Sequence, residues 1–356
     1  MQIISDFKKD TQTEKLNPGS YEWWYFDVMS KEGYSLVIIF YDGNPFSRRY
    51  IKKIESNTET NASDFPAISI SLYKDGTPIF YSFEEVNPEG AEFSETKPFG
   101  QIGDNSFEGF QEFNELSYKV VLNQKLETGD LLHGSLIFKS LNADLSEIVS
   151  SNEVPNKSEH SWNLIMANCL VECNLNLEGS VCEKIVFNGR GYHDHNTGSE
   201  PMKDSFKEWY WGRYHIENST LIYYLMMVNG EWKKKAWLIN ESGSVKKLDQ
   251  KIDFSNHGFN LFGLVSARTF HFEGDGIDAF IQLDHVVDSG PFYQRFFGKV
   301  IINRGEKPEL ADGISEYIFP SRIYSRMFWP LVNMRIKYPG KSHWVQRNHT
   351  LYRLTW

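Results

Sequence analysis

The chain has 356 residues, 15% of them aromatic, and a formal net charge of −10 with a pI near 5.5. That length holds two domains with a sizeable core, and the acidic balance argues against a general nucleic-acid binder, which carries a basic face. No apolar run reaches the roughly 18–20 residues of a membrane-spanning helix, Cys169, Cys173 and Cys182 make no disulfide framework, and Met1 to Lys15 lacks the apolar centre of a secretion signal, so a cytoplasmic location is expected.

In chain order, Glu22-Trp23-Trp24-Tyr25-Phe26 opens an apolar stretch that runs through Leu36–Tyr41 to an Asp42-Gly43 turn. The polar segments Asn44–Asp64 and Glu84–Asn114 read as long loops. Between them Ala67–Tyr73 alternates, turns at Asp75-Gly76 and returns through Pro78–Phe83, a hairpin signature. Tyr118–Leu122 and Leu132–Phe138 flank Gly129-Asp130 in the same style, and Trp162 to Leu177 reads as one long strand. Glu208-Trp209-Tyr210-Trp211 then opens a second apolar stretch, through Leu221–Met227 to an Asn229-Gly230 turn. Lys234–Asn240, Thr269–Phe272, Ile277–Val287 and Gly298–Asn303 follow as strands. Ser321 to Ile336, entered after Pro320 and interrupted by Pro330, is the best helical candidate, and His343 to Trp356 reads as a closing strand.

Two aromatic openings, each feeding a strand and a turn, predict a duplicated β unit. The expected class is all-β, built of antiparallel sandwiches or barrels. The expected domains are 1–188 and 189–356, with the boundary near Phe187–Gly191 and a small-molecule pocket at the junction.

The densest polar cluster is Gly189-Arg190-Gly191-Tyr192-His193-Asp194-His195-Asn196. Extended, it puts His193 and His195 on one face and Tyr192, Asp194 and Asn196 on the other. A carboxylate beside imidazoles is acid/base equipment; equally, such groups tie down an inter-domain crossing by hydrogen bonds. His193-x-His195 with His215 or a cysteine matches no strong zinc signature, so no metal is expected. Gly189-x-Gly191 is not a dinucleotide fingerprint, because no helix follows. In the opening motif Glu22, Trp24 and Phe26 share one face; Tyr21, Trp23, Tyr25 and Asp27 share the other. Ser315 to Trp356 carries seven basic side chains (Arg322, Arg326, Arg335, Lys337, Lys341, Arg347, Arg353) against the single acid Glu316. It is either an ordinary solvated face or a docking surface for an anionic lipid head or an acyl-carrier protein.

Together Glu22–Phe26, Trp162, Gly191–Asn196 and Trp209-Tyr210-Trp211-Gly212-Arg213 make a chain that resembles the carotenoid hydratase (hydroxyneurosporene synthase) and AttH-like family, with a distant likeness to fungal decalin-forming Diels–Alderases. The family's Asp-His-Asn block is commonly followed by Trp-Gly; here Thr197-Gly198 follows. The resemblance implies two lipocalin-like β domains packed against each other, a hydrophobic unsaturated substrate and no redox cofactor. Three functions follow. The first is acid/base hydration or cyclisation of C=C bonds, with Asp194 or Glu22 as acid and Trp24 and Trp211 facing the cation. The second is a pericyclase in which Tyr210 or His195 polarises a carbonyl. The third is a hydrophobic-ligand carrier. The candidate catalytic residues are Asp194, His195, Glu22 and Tyr210. The candidate substrate-binding residues are Trp24, Tyr25, His193, Trp211 and Asn196.

Overall fold

The computed structural model describes residues 2–15, 17–113, 115–141, 145, 148, 160–305 and 307–356. Met1 and Asn114, the ends of two expected segments, lie outside them. The chain forms two compact units, Met1–Met202 with Trp329–Trp356, and Lys203–Phe328. Among the described residues no helix is long and apolar enough to cross a membrane.

The first unit holds β1 (Gln2–Ile4), β2 (Tyr21–Ser30), β3 (Tyr34–Tyr41), α1 (Arg48–Glu55), β4 (Ala67–Lys74), β5 (Thr77–Glu85), β6 (Ala91–Phe93), β7 (Phe99–Ile102) and β8 (Asn105–Glu112). It continues with β9 (Glu115–Lys125), β10 (Leu131–Ser140), β11 (Ser161–Glu178), β12 (Glu183–Gly198) and α2 (Met202–Ser205), the last reaching into the second unit. Its sheet runs β5-β4-β3-β2-β12-β11-β10-β9-β8-β7-β6, with β1 parallel to β11.

The second unit holds β13 (Glu208–Ile216), β14 (Ser219–Val228), β15 (Glu231–Asn240), β16 (Val245–Lys247), β17 (Lys251–Ser255), β18 (Gly258–Phe259) and β19 (Val265–Ser266). Then come β20 (Thr269–Gly274), β21 (Ile277–Ser289), β22 (Tyr293–Asn303) and β23 (Glu309–Ile318). Its sheet runs β16-β15-β14-β13-β23-β22-β21-β20-β17.

The duplication is visible in this order. In each unit the aromatic opening strand pairs on one side with its hairpin partner and on the other with the unit's last long strand. Asp75-Gly76 and Asn229-Gly230 both have positive φ at their two residues, the left-handed pair a two-residue hairpin needs. Each sheet curls on itself. Trp24 on β2 stacks on Phe93 of β6 at 4.9 Å and meets Phe107 of β8 at 5.4 Å, although those strands lie far along the ladder. Tyr210 on β13 likewise meets Phe270 of β20 at 5.2 Å. The concave faces carry the apolar cores, where each fully buried ring contributes about 1.5–3 kcal/mol.

Four expectations need correction. The boundary at 188/189 falls inside β12, which pairs continuously with β2 from Gly189 to Gly198. Gly191 is there for close approach rather than as a break: a Cβ on it would sit 2.7 Å from the Asp27 carbonyl and 2.5 Å from Val171 Cγ2. The tail does not belong to the second unit either. Lys337 N–H donates to the Phe83 carbonyl and Glu85 N–H to the Lys337 carbonyl, while Trp356 stacks on Tyr81 at 4.5 Å.

The stretch His343–Trp356 is helical, not a strand. His343 and Gln346 form a reciprocal cap on a short 3-10 turn, and Asn348 caps α4 (His349–Arg353) through the Leu351 N–H. The two expected loops also carry structure, α1 in the first and β6 to β8 in the second. The Ser321–Ile336 candidate does coil, as 3-10 turns at Pro320–Tyr324 and Arg326–Phe328 and as α3 (Trp329–Arg335). Much of the basic tail is engaged internally: Lys337 with Glu84 and Glu127, Arg353 with the Pro78 carbonyl, and Arg335 over Trp356.

Candidate active site

β2 and β12 lie side by side in the register His193↔Phe26, Asp194↔Tyr25, His195↔Trp24 and Asn196↔Trp23. Strand alternation sends the candidates to two opposite faces of one sheet. The split matches the faces read from the sequence, and it separates candidates that the sequence left as one group.

On the concave face Phe26 stacks on His193 at 3.9 Å and Trp24 on His195 at 4.5 Å. The N-terminal segment drops Asp10 and Lys15 into the same space. His193 Nδ1 lies 2.9 Å from the Tyr25 carbonyl, which can only accept, so Nδ1 carries a proton; Nε2 lies 3.0 Å from Asp10 Oδ2. The Tyr118 hydroxyl donates to the same Asp10 oxygen. His195 Nε2 lies 2.9 Å from Glu22 Oε1, and its Nδ1 is 3.3 Å from Asp10 Oδ1.

Glu22 also accepts from the Thr13 N–H at 3.0 Å and the Thr13 hydroxyl at 2.9 Å. The Lys15 ammonium bridges Glu22 and Asp42, and Gln12 donates to Asp42 at 2.6 Å. Burial opposes a charge on His195, but the Glu22 hydrogen bond and the charges of Glu22 and Asp10 outweigh it, so its pKa lies above the ordinary imidazole value. Its contribution to stability is therefore full below about pH 6.5 and is lost as pH rises through the folded value. A cleft of about 470 Å³ opens beside this network, with Ile4, Lys8, Thr13, Lys15, Asn163 and His195 among its walls.

On the other face, outside the apolar core of the unit, stands Asp194. Trp162 Nε1–H donates to its Oδ2 at 2.7 Å, the Tyr192 hydroxyl to the same oxygen at 2.6 Å, and Asn196 Nδ2 to Oδ1 at 2.8 Å. Tyr25 meets Tyr192 edge-on at 6.1 Å, and Trp23 stacks on Tyr21 at 5.3 Å. Asp194 and Asn196 are only 4% and 3% exposed, so these donors act where water screens little.

His160 sits beside them, its Nδ1 3.0 Å from the Tyr21 hydroxyl, and burial drives its pKa down to about 3. A depressed imidazole means the unfolded chain takes up the proton first. Stability should therefore fall by about 1.4 kcal/mol for each pH unit below 6.5 until pH nears 3. Urea unfolding at a series of pH values checks this; a His160→Gln variant should show a flatter acid limb, and an unchanged limb refutes the assignment.

Tyr210 and Trp211 lie in the second unit. Tyr210 is a core residue, stacked on Tyr317 at 4.4 Å, with its hydroxyl accepting from the Ala267 N–H at 2.9 Å and its pKa raised by burial. Trp211 pairs across the ladder with Glu316, the position Asp194 takes opposite Tyr25, and Arg295 holds that carboxylate at 2.9 Å. His215 meets Thr220 Oγ1 at 2.9 Å. Sequence reasoning missed Asp10, Lys15 and Asp42 as parts of the buried network, because nothing in a mixed polar N-terminus marks a residue that will be buried. Tyr192 was placed on the correct face without being assigned to the site; its i, i+2 spacing from Asp194 was the available signal.

Two curled antiparallel sheets, each joining its first aromatic strand to its last, define a two-unit lipocalin-like β protein. The chain belongs to the carotenoid hydratase family: the family model for carotenoid hydratase CrtC matches residues 141–347. It is 30% identical over 364 residues to the hydroxyneurosporene dehydrogenase of Chlorobaculum tepidum, covering 96% of this chain and 94% of that one. Solved structures share the fold at low identity. Kievitone hydratase from Nectria haematococca aligns with TM-score 0.55 and 11% identity, over 89% of this chain and 93% of that one. CghA bound to Sch210972 aligns with TM-score 0.56 and 12% identity, over 85% and 89%.

Proposed function

We propose that the protein is a hydratase that adds water across a C=C bond of a long lipophilic polyene, with Asp194 as its acid/base group. The observation that carries this reading is the Asp194 carboxyl, held by Trp162, Tyr192 and Asn196 on a face rich in aromatic rings, in a member of the carotenoid hydratase family.

In the reacting form Asp194 is protonated; its carboxyl gives the proton to one alkene carbon, and the π electron pair forms the new C–H bond. The adjacent carbon is left as a cation. The three donors are already aimed at the carboxylate created in that step, so negative charge develops where it is stabilised without reorganisation. Tyr25, paired with Asp194 across the ladder, supplies a ring that favours the positive charge. A water lone pair then forms the C–O bond, and the water's proton returns to Asp194. Atoms balance as alkene plus water to alcohol, with no net oxidation, so the step calls for no redox cofactor. In this reading Glu22, Trp24, His193 and His195 position β12 from the concave face and do not touch substrate.

Incubation of a polyene with the protein in heavy-oxygen water tests the assignment. The expected product is an alcohol carrying the label. An unlabelled cyclic isomer would make the protein a cyclase, and a polyene recovered unchanged would make it a carrier.

A further inference from the structure

At one end of the second unit, β18 and β19 form a small hairpin off the main sheet. Phe259 pairs across it with Val265, and the turn between them carries Leu261. Phe259 is 80% exposed, Leu261 100% and Val265 51%. Phe259 and Leu261 are two residues apart at the tip, and Val265 lies opposite Phe259 across the hairpin. Three apolar side chains held together in water need an explanation that scattered surface residues do not.

The tip is braced. Asn260 Oδ1 accepts from the Phe262 and Leu264 N–H groups at 3.0 Å each, and Asn260 Nδ2 donates to the Gly290 carbonyl at 2.7 Å. Arg322 donates to the carbonyls of Phe262 at 3.1 Å, Gly263 at 2.9 Å and Pro291 at 3.0 Å. Those bonds tie the hairpin to the segment Phe319–Phe328, whose Met327 is itself 74% exposed. The fold therefore holds these apolar groups outward in a set geometry.

Charge points to what they meet. From Asn256 to Ala267 and from Phe319 to Phe328 there is no Asp or Glu, while Arg322, Arg326 and His257 are present, in a chain of net charge −10. A protruding apolar tip with a basic surround suits a fluid, negatively charged layer. Such a layer accepts Phe, Leu and Val without a matching cavity and attracts each nearby cation.

We propose that this hairpin and the Phe319–Phe328 segment dock the protein on an anionic phospholipid bilayer. The assignment rests on exposure, bracing and charge, and stands independently of the chemistry at Asp194. The basic side chains set the orientation of an acidic molecule that the surface would otherwise repel.

Flotation of the full chain with vesicles tests it, using phosphatidylcholine alone and phosphatidylcholine mixed with phosphatidylglycerol. The protein should float with the mixed vesicles, less so at high salt. Phe259→Ser together with Leu261→Ser should weaken partition about tenfold or more. Both side chains are solvent-exposed, so circular dichroism should be unchanged, as should turnover of a detergent-dispersed polyene. Wild-type protein that stays with the unbound fraction, or a double variant that floats as well as wild type, overturns the proposal.

Discussion

Asp194→Asn is expected to lower turnover by about 10²–10⁴-fold, the usual size of a lost general acid/base group. The variant should keep its fold. The amide retains the shape of the carboxyl and still accepts from Trp162 and Tyr192 at Oδ. It cannot, however, deliver a proton to carbon or take one back from water. Two further variants separate an acid/base role from a structural one. Tyr192→Phe and Trp162→Phe each remove a donor from Oδ2, and a hydrogen bond to a charged group is worth about 1.5–3 kcal/mol. Each should therefore cost about 10–100-fold in kcat. Each should also shift the alkaline limb of the pH–rate profile upward, since a carboxylate with fewer donors holds its proton more tightly. A merely structural Asp194 would leave that limb in place. Full activity in Asp194→Asn would remove it from the mechanism.

Lys15→Met is expected to destabilise the protein by about 3–5 kcal/mol, the cost of removing one partner from a buried ion pair. That is a large part of the about 5–15 kcal/mol that holds a typical domain folded. The Lys15 side chain is 3% exposed and lies between Glu22 and Asp42, which are 0% and 2% exposed. Without the ammonium, two carboxylates face each other in a site water barely reaches. Adding Glu22→Gln and Asp42→Asn to Lys15→Met should recover most of the loss, because no uncompensated charge remains. Denaturant midpoints of the wild type, the single variant and the triple variant form the test. If Lys15→Met alone unfolds at the wild-type midpoint, the N-terminal segment is not a structural part of the barrel.

These expectations give the two faces of β12 different duties, and that division was only half legible in the sequence. Period-two alternation put His193 with His195 and Asp194 with Tyr192 and Asn196, and the structure keeps both groupings because neighbouring side chains on a strand must alternate. The strand register then decided what each group meets. His195 lies against Trp24 and Asp194 against Tyr25, so one face turns into the apolar barrel and the other presents a carboxyl among rings.

By itself the sequence determined the all-β class, the repeated aromatic opening, most strands and two of the three Asx-Gly turns read from it; Asp75-Gly76 and Asn229-Gly230 close hairpins, whereas Asp42-Gly43 leads from β3 towards α1. These follow from local rules of alternation and backbone conformation, which need no distant partner. Tertiary structure alone decided the rest. Asp10 and Lys15 are ordinary polar residues until the N-terminal segment folds into the barrel beside His193 and Glu22, 183 and 7 residues away in sequence respectively. The tail from Trp329 returns to the first unit through a few backbone bonds to β5, a pairing that no local pattern encodes. The misplaced boundary has the same origin. Gly189 and Gly191, at the expected boundary, are the residues that let β12 pass close to β2, and close approach is a property of two strands rather than of one.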